Sequence, residues 1–123
     1  MSNKKFSLKD RVKSFGYAFK GLSFFFSNEH NARIHIFGTF IAIGFSVWMG
    51  ISSLEWIAIL GVITLVFVAE VFNTAVEKLA DVVSPEVNPK IKIVKDLAAG
   101  AVLLTAIFAV IVGLIIFCPK LFP

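Results

Sequence analysis

Sulfur and charge are both in short supply in this chain. Of 123 residues only one is cysteine, Cys118, which excludes an intrachain disulfide and cannot make a metal site by itself. Two histidines are present, His30 and His35, and neither has a ligand partner at helical spacing, so zinc has little support. Charged residues make up 16% against 58% hydrophobic, a balance foreign to an ordinary soluble domain. Also missing are the loops that usually cradle a nucleotide. There is no G-x-x-x-x-G-K-[ST], no G-x-G-x-x-G, and no H-R-D or D-F-G set, and Gly16-Tyr-Ala-Phe-Lys-Gly21 is not a phosphate loop.

The charges leave three long stretches nearly empty: Ile36 to Leu54, Trp56 to Val76 (broken by Glu70 and Asn73), and Leu97 to Cys118. Each approaches the roughly 20 residues that a helix needs to cross a bilayer, so the chain reads as a three-span membrane protein. No cleaved signal peptide is expected, because the first apolar run starts late and is too long for one.

The net charge of +4 is unevenly placed. Lys4, Lys5, Lys9, Arg11, Lys13, Lys20 and Arg33 precede the first span, the turn from Gly50 to Glu55 has no cation, and the second connection carries Lys78, Lys90, Lys92 and Lys95. By the positive-inside rule the N-terminus and second connection face the cytoplasm, and the first turn and C-terminus lie outside. The basic excess reads as orientation and attraction to anionic lipid, and nucleic-acid binding has no support.

Leu8, Val12, Phe15, Phe19, Leu22 and Phe26 recur at spacings of three and four, an amphipathic stripe over about residues 7–27. It predicts a surface helix with its Phe side chains dipped into the acyl boundary. Spans follow at about 33–51, 55–82 and 89–118, in one domain covering 1–123. Trp48 and Trp56 flank the outer turn as interface anchors. Ser84-Pro-Glu-Val-Asn-Pro89 ends the second span, and Asn88-Pro89 has the form of an N-cap and first helical position. Glu29 and Arg33, four apart, suit a helix-surface ion pair, while His35 suits either interfacial solvation or a helix–helix hydrogen bond.

The chain turns on Val68 to Asp81. Glu70, Asn73, Thr74, Glu77 and Asp81 fall within roughly a 100° arc of one helix face, and the rest of the turn is apolar. A helix end emerging into water explains Asp81 and Glu77. It explains Glu70 badly, since a carboxylate at membrane depth costs about 2.5–3.5 kcal/mol and demands compensation. Glu70 lies about 10 Å deeper than Glu77. Such a pair suits chemistry between a membrane-borne and a soluble substrate. Glu29 and Glu77 offer hard oxygens to a Mg²⁺ shared with phosphates, a desolvated Glu70 suits a general base, and Lys95 offsets phosphate charge. The residues alone deliver an acidic, metal-dependent site at the cytoplasmic interface. A small oligomeric transporter using Glu70 as an ion or proton carrier, or a membrane scaffold without catalysis, is the rival reading.

Glu70-Val-Phe-Asn-Thr-Ala-Val-Glu77 followed by Lys95-Asp-Leu-Ala-Ala-Gly-Ala-Val102 resembles the prokaryotic diacylglycerol kinase family, which includes the undecaprenol kinases. Gly16-Tyr-Ala-Phe-Lys-Gly-Leu22 and Asn28-Glu29 match its N-terminal part. The resemblance implies an all-α membrane protein, an N-terminal amphipathic surface helix plus three transmembrane helices, assembled as a homotrimeric bundle in the bacterial inner membrane. It also implies an ATP- and Mg²⁺-dependent kinase acting on a membrane lipid alcohol. Glu70 matches the catalytic base, and Glu29 and Glu77 the divalent-metal ligands that also meet the nucleotide. Tyr17, Lys95, Asp96 and Glu86 match nucleotide-binding positions. Asn73, Trp48 and Arg33 are supporting or lipid-side positions. Asp10 stands where the proteobacterial diacylglycerol kinases have Arg, His35 where they have Glu, and the Ser84–Pro89 segment departs from their second connection. The third span looks more like the undecaprenol-kinase branch, which favours the polyprenol over diacylglycerol.

Overall fold

A computed structural model describes residues 5–123, so the Lys4 of the basic N-terminus lies outside the described residues. Four helices follow in order: α1 (Leu8–Asn28), α2 (His30–Met49), α3 (Ser53–Val83) and α4 (Pro89–Leu121). Three of them, α2, α3 and α4, are long and apolar enough to cross a membrane.

Local chemistry fixes where each helix stops and starts. Ser7 caps α1 through its hydroxyl and the Asp10 amide. A single extended residue, Glu29, then separates α1 from α2, its N–H returned to the Phe25 carbonyl at 3.1 Å. The first spanning helix therefore begins at His30, ahead of the expected 33. The one left-handed residue among those described, Gly50 with φ 60°, ends α2. Its freedom from a Cβ lets the Ile51 N–H reach back to the Ser46 carbonyl at 3.3 Å. Ser52 and Glu55 form a reciprocal capping box that starts α3. Asn88 caps α4 through the Lys90 amide at 2.9 Å, with Pro89 in its first turn. Pro119 sits in the last turn without ending it, so α4 runs to Leu121 rather than 118.

α3 and α4 form an antiparallel hairpin tied at both ends by ions. Lys95 Nζ lies 2.8 Å from Asp81 at one end, and Lys120 Nζ lies 3.3 Å from Glu55 at the other. Ile51, Ile59 and Ile116 make a small core near the Glu55 end, with Met49, Trp56 and Phe117 against it. Trp56 is thus half-buried in the hairpin, whereas Trp48 is exposed.

At 1.5 Å per residue α3 is about 46 Å long and α4 about 50 Å, against a hydrocarbon core of about 30 Å. Their polar ends, including Glu77, Asp81 and Lys95, overhang that thickness. Much of the remaining apolar surface is uncovered: Phe37, Phe40 and Leu104 are each about 70% exposed (68%, 72% and 71%). In water that surface would be strongly unfavourable, and lipid or neighbouring chains would cover it.

The contact of α1 with the rest differs from the predicted stripe. Phe25, outside the stripe, is the buried residue of α1, and Phe26 stacks at 5.6 Å on Phe67 of α3. Leu8, Val12, Phe15 and Phe19 stay exposed, as a face meant for acyl chains would be.

Candidate functional site at the polar end of the bundle

The acid stripe on α3 changes character along its length. Glu70 is 4% exposed and Thr74 is buried beside it, whereas Glu77 and Asp81 reach solvent. Between them, Asn73 keeps its Oδ1 buried with no hydrogen-bond partner among the described residues. An orphaned acceptor of this kind is costly, and it marks a place where a donor is wanted.

The partner of Glu70 is His35. Its Nε2 lies 2.8 Å from Glu70 Oε1, and the ring meets Phe67 edge-on at 6.0 Å. Of the two sequence readings for His35, the helix–helix hydrogen bond is the one found. His35 lies outside the set of expected site residues. The signal for it was the need of a buried acid for a partner, with His35 the only ionisable side chain within the first apolar run's entrance beyond Arg33.

The expected Glu29–Arg33 ion pair does not form. Glu29 lies in the extended joint outside both helices, so the i,i+4 geometry is lost. Arg33 instead donates from Nη2 to the Ser27 carbonyl at 2.9 Å, closing the end of α1. Glu29 faces α3, with Lys78 Nζ at 3.8 Å, and Lys78 also sits 5.6 Å over the Phe24 ring. The joint thereby brings Glu29 to the α3 turn that carries Glu77.

Lys95 and Asp96 diverge. Lys95 turns to α3 and Asp81, while Asp96 pairs with Lys92 at 2.7 Å on the exposed side of α4. Lys95 and Glu86 line one cavity of about 370 Å³, together with Asp81, Ser84, Asn88 and Lys92. Tyr17 is 65% exposed on α1. Trp48 lies on α2 13 residues beyond His35, about 20 Å along the helix and hence toward the other membrane face. A second cavity, of about 310 Å³, runs between α2, α3 and α4 along Ala42, Ile59, Val66 and Phe117, with His35 and Thr39 among its lining.

Among the described residues no three His, Cys, Asp or Glu side chains converge into a metal cage. The donor set nevertheless fits Mg²⁺ shared with a nucleotide, which takes one or two carboxylates and fills its shell with phosphate and water. Glu77 is exposed, and Glu29 has only the loose Lys78 contact to give up.

The sequence profile of prokaryotic diacylglycerol kinase matches residues 16–117. Undecaprenol kinase of Bacillus subtilis (strain 168) is 35% identical over 109 residues, covering 89% of each chain. A diacylglycerol kinase of Synechocystis is 40% identical over 110 residues, covering 88% of this chain and 62% of that relative. The diacylglycerol kinase of Escherichia coli (strain K12) is 27% identical over 111 residues, covering 90% and 91%. With its three apolar helices and a match along most of its length, the chain belongs to the prokaryotic diacylglycerol kinase family as a multi-pass membrane protein.

Proposed function

We propose that this protein transfers the γ-phosphate of ATP to the hydroxyl of a membrane lipid alcohol, undecaprenol first and diacylglycerol second. That it is a membrane lipid kinase follows from its family, and the transporter reading has no support among its relatives. The observation that carries the site is the gradation along α3, a buried acid at Glu70 leading to an exposed one at Glu77. Such a gradient joins a buried base at membrane depth to a water-facing carboxylate suited to a metal ion.

Glu70 takes the hydroxyl proton, the lipid oxygen attacks the γ-phosphorus in line, and ADP departs. Glu29 and Glu77 would hold Mg²⁺, which when bound neutralises charge on the phosphates. Lys95 is drawn from Asp81 toward nucleotide phosphate as a point cation, with Glu86 in the same cavity, while the family resemblance assigns Tyr17, exposed on α1, and Asp96, paired with Lys92, to the nucleotide. Asn73 supplies a polar contact beside Glu70, Arg33 holds the joint that aims Glu29, and Trp48 meets lipid at the far face.

The N-terminus and the α3–α4 connection face the cytoplasm of the bacterial inner membrane, where the cations of both segments prefer to stay. Three helices leave the polar cleft too open for one chain, so a homo-oligomer with sites at subunit boundaries completes the single 1–123 domain, and the family resemblance makes that oligomer a trimer. Preference for undecaprenol rests on the third span and on the Bacillus relative, 35% identical over 89% of each chain against 27% for the Escherichia coli diacylglycerol kinase.

Purified protein given labelled ATP, Mg²⁺ and either undecaprenol or diacylglycerol tests the reading. Label should pass to the polyprenol faster than to the diacylglycerol. No lipid-dependent transfer to either would overturn it.

A further inference from the structure

We infer that His35 is a positioning residue for the base: it donates its Nε2–H to one oxygen of Glu70 and leaves the other oxygen to receive the lipid's proton. The inference rests on the proposed base role of Glu70 and adds a residue and a proton arrangement to it.

Three observations carry it. The Nε2–Oε1 distance is 2.8 Å, a full hydrogen bond, made across 35 residues of chain between α2 and α3. The Glu70 side chain is 5% exposed while that of His35 is 27% exposed, so the imidazole stands on the open side of a carboxyl that water hardly reaches. The same imidazole borders the apolar cavity between α2, α3 and α4, through which a lipid hydroxyl would arrive. Phe67 against the ring edge limits how far the imidazole can swing.

The chemistry follows from the donor count. A carboxylate has two oxygens, and a neutral imidazole protonated at Nε2 can occupy only one of them. Oε1 is then fixed, the rotation of the carboxyl is stopped, and Oε2 is the acceptor. When the lipid O–H bond breaks, its proton moves to Oε2 and its electron pair stays on the oxygen that bonds to phosphorus. His35 gains and loses no proton in this step. It orients the base, and a misplacement of about 1 Å in such a group costs on the order of 100-fold in rate.

A merely structural tie between α2 and α3 would predict something else, so the test separates donor function from packing. His35→Leu removes the donor, whereas His35→Gln keeps an N–H donor on a flexible chain of similar reach. In phosphotransfer assays His35→Leu should lower kcat by about 10- to 100-fold with the KM for ATP within about twofold, and His35→Gln should recover most of the loss. In the double variant with Glu70→Gln, His35→Leu should add nothing further. Wild-type kcat in His35→Leu, equal loss in the Leu and Gln variants, or additive losses in the double variant would each overturn the pairing while leaving Glu70 as base. Undiminished turnover in Glu70→Gln alone would instead overturn the base, and the His35 role with it.

Discussion

Two glutamates seven positions apart on α3 occupy opposite environments, and their conservative variants should fail differently. Glu70 is buried against His35, so Glu70→Gln keeps the shape and a hydrogen bond but cannot take a proton. Loss of a general base lowers kcat by about 10²- to 10⁴-fold, with substrate KM values little changed. Glu77 is exposed, and Glu77→Gln should raise the Mg²⁺ concentration needed for half-maximal rate several-fold, with partial recovery of kcat at saturating Mg²⁺. Magnesium titrations of both variants check the contrast, and a reversed pattern would exchange the two roles. The acids themselves were legible in the sequence because a carboxylate inside an apolar run has no cheap structural explanation. Their partners were not. His35 reaches Glu70, and Lys78 reaches Glu29, through helix placement that spacing along the chain does not encode.

Helix ends were the more readable feature at the scale of elements, since they depend on neighbours in sequence. Asn88-Pro89 caps α4 where the sequence predicts it, and the Ser52–Glu55 box at the start of α3, not expected beforehand, obeys the same short-range chemistry. The break at Glu29 was less legible: Asn28 to Arg33 contains no proline or glycine, and only the turning of α1 onto Phe67 requires it. The start of α4 has a consequence for the site, because Lys95 lies less than two turns beyond the Asn88 cap and takes its direction from that end. Asn88→Ala removes the acceptor of the Lys90 N–H and should cost about 1 kcal/mol, seen as a lower midpoint in detergent denaturation. The same variant should raise the KM for ATP a few-fold as Lys95 frays, and Asn88→Ser should restore both. A stability loss without any change in KM would detach the cap from the proposed nucleotide cavity.

For the whole molecule, the decisive quantity is which membrane face holds the α3–α4 connection. Apolar runs make the crossings legible, but one chain cannot reveal subunit number: the uncovered faces of α2 and α4 are equally suited to lipid and to another copy. The proposed sidedness has a basis in the sequence, because cations cluster at the N-terminus and around Lys78 to Lys95 and are absent from Gly50 to Glu55. ATP is cytoplasmic, and the exposed Glu77, the half-open Lys95 and the loop cavity around Glu86 all lie at the connection end. In a Cys118→Ala background, Val87→Cys should therefore resist a membrane-impermeant maleimide in intact cells and react once the cells are permeabilised. Val87 suits the purpose because it is 97% exposed and caps no helix. Ser53→Cys, at the other end of α3, should react without permeabilisation. Labelling of Val87→Cys from outside would put the proposed nucleotide cavity where no ATP is supplied, and the site built from Glu77, Glu86 and Lys95 would have to be given up.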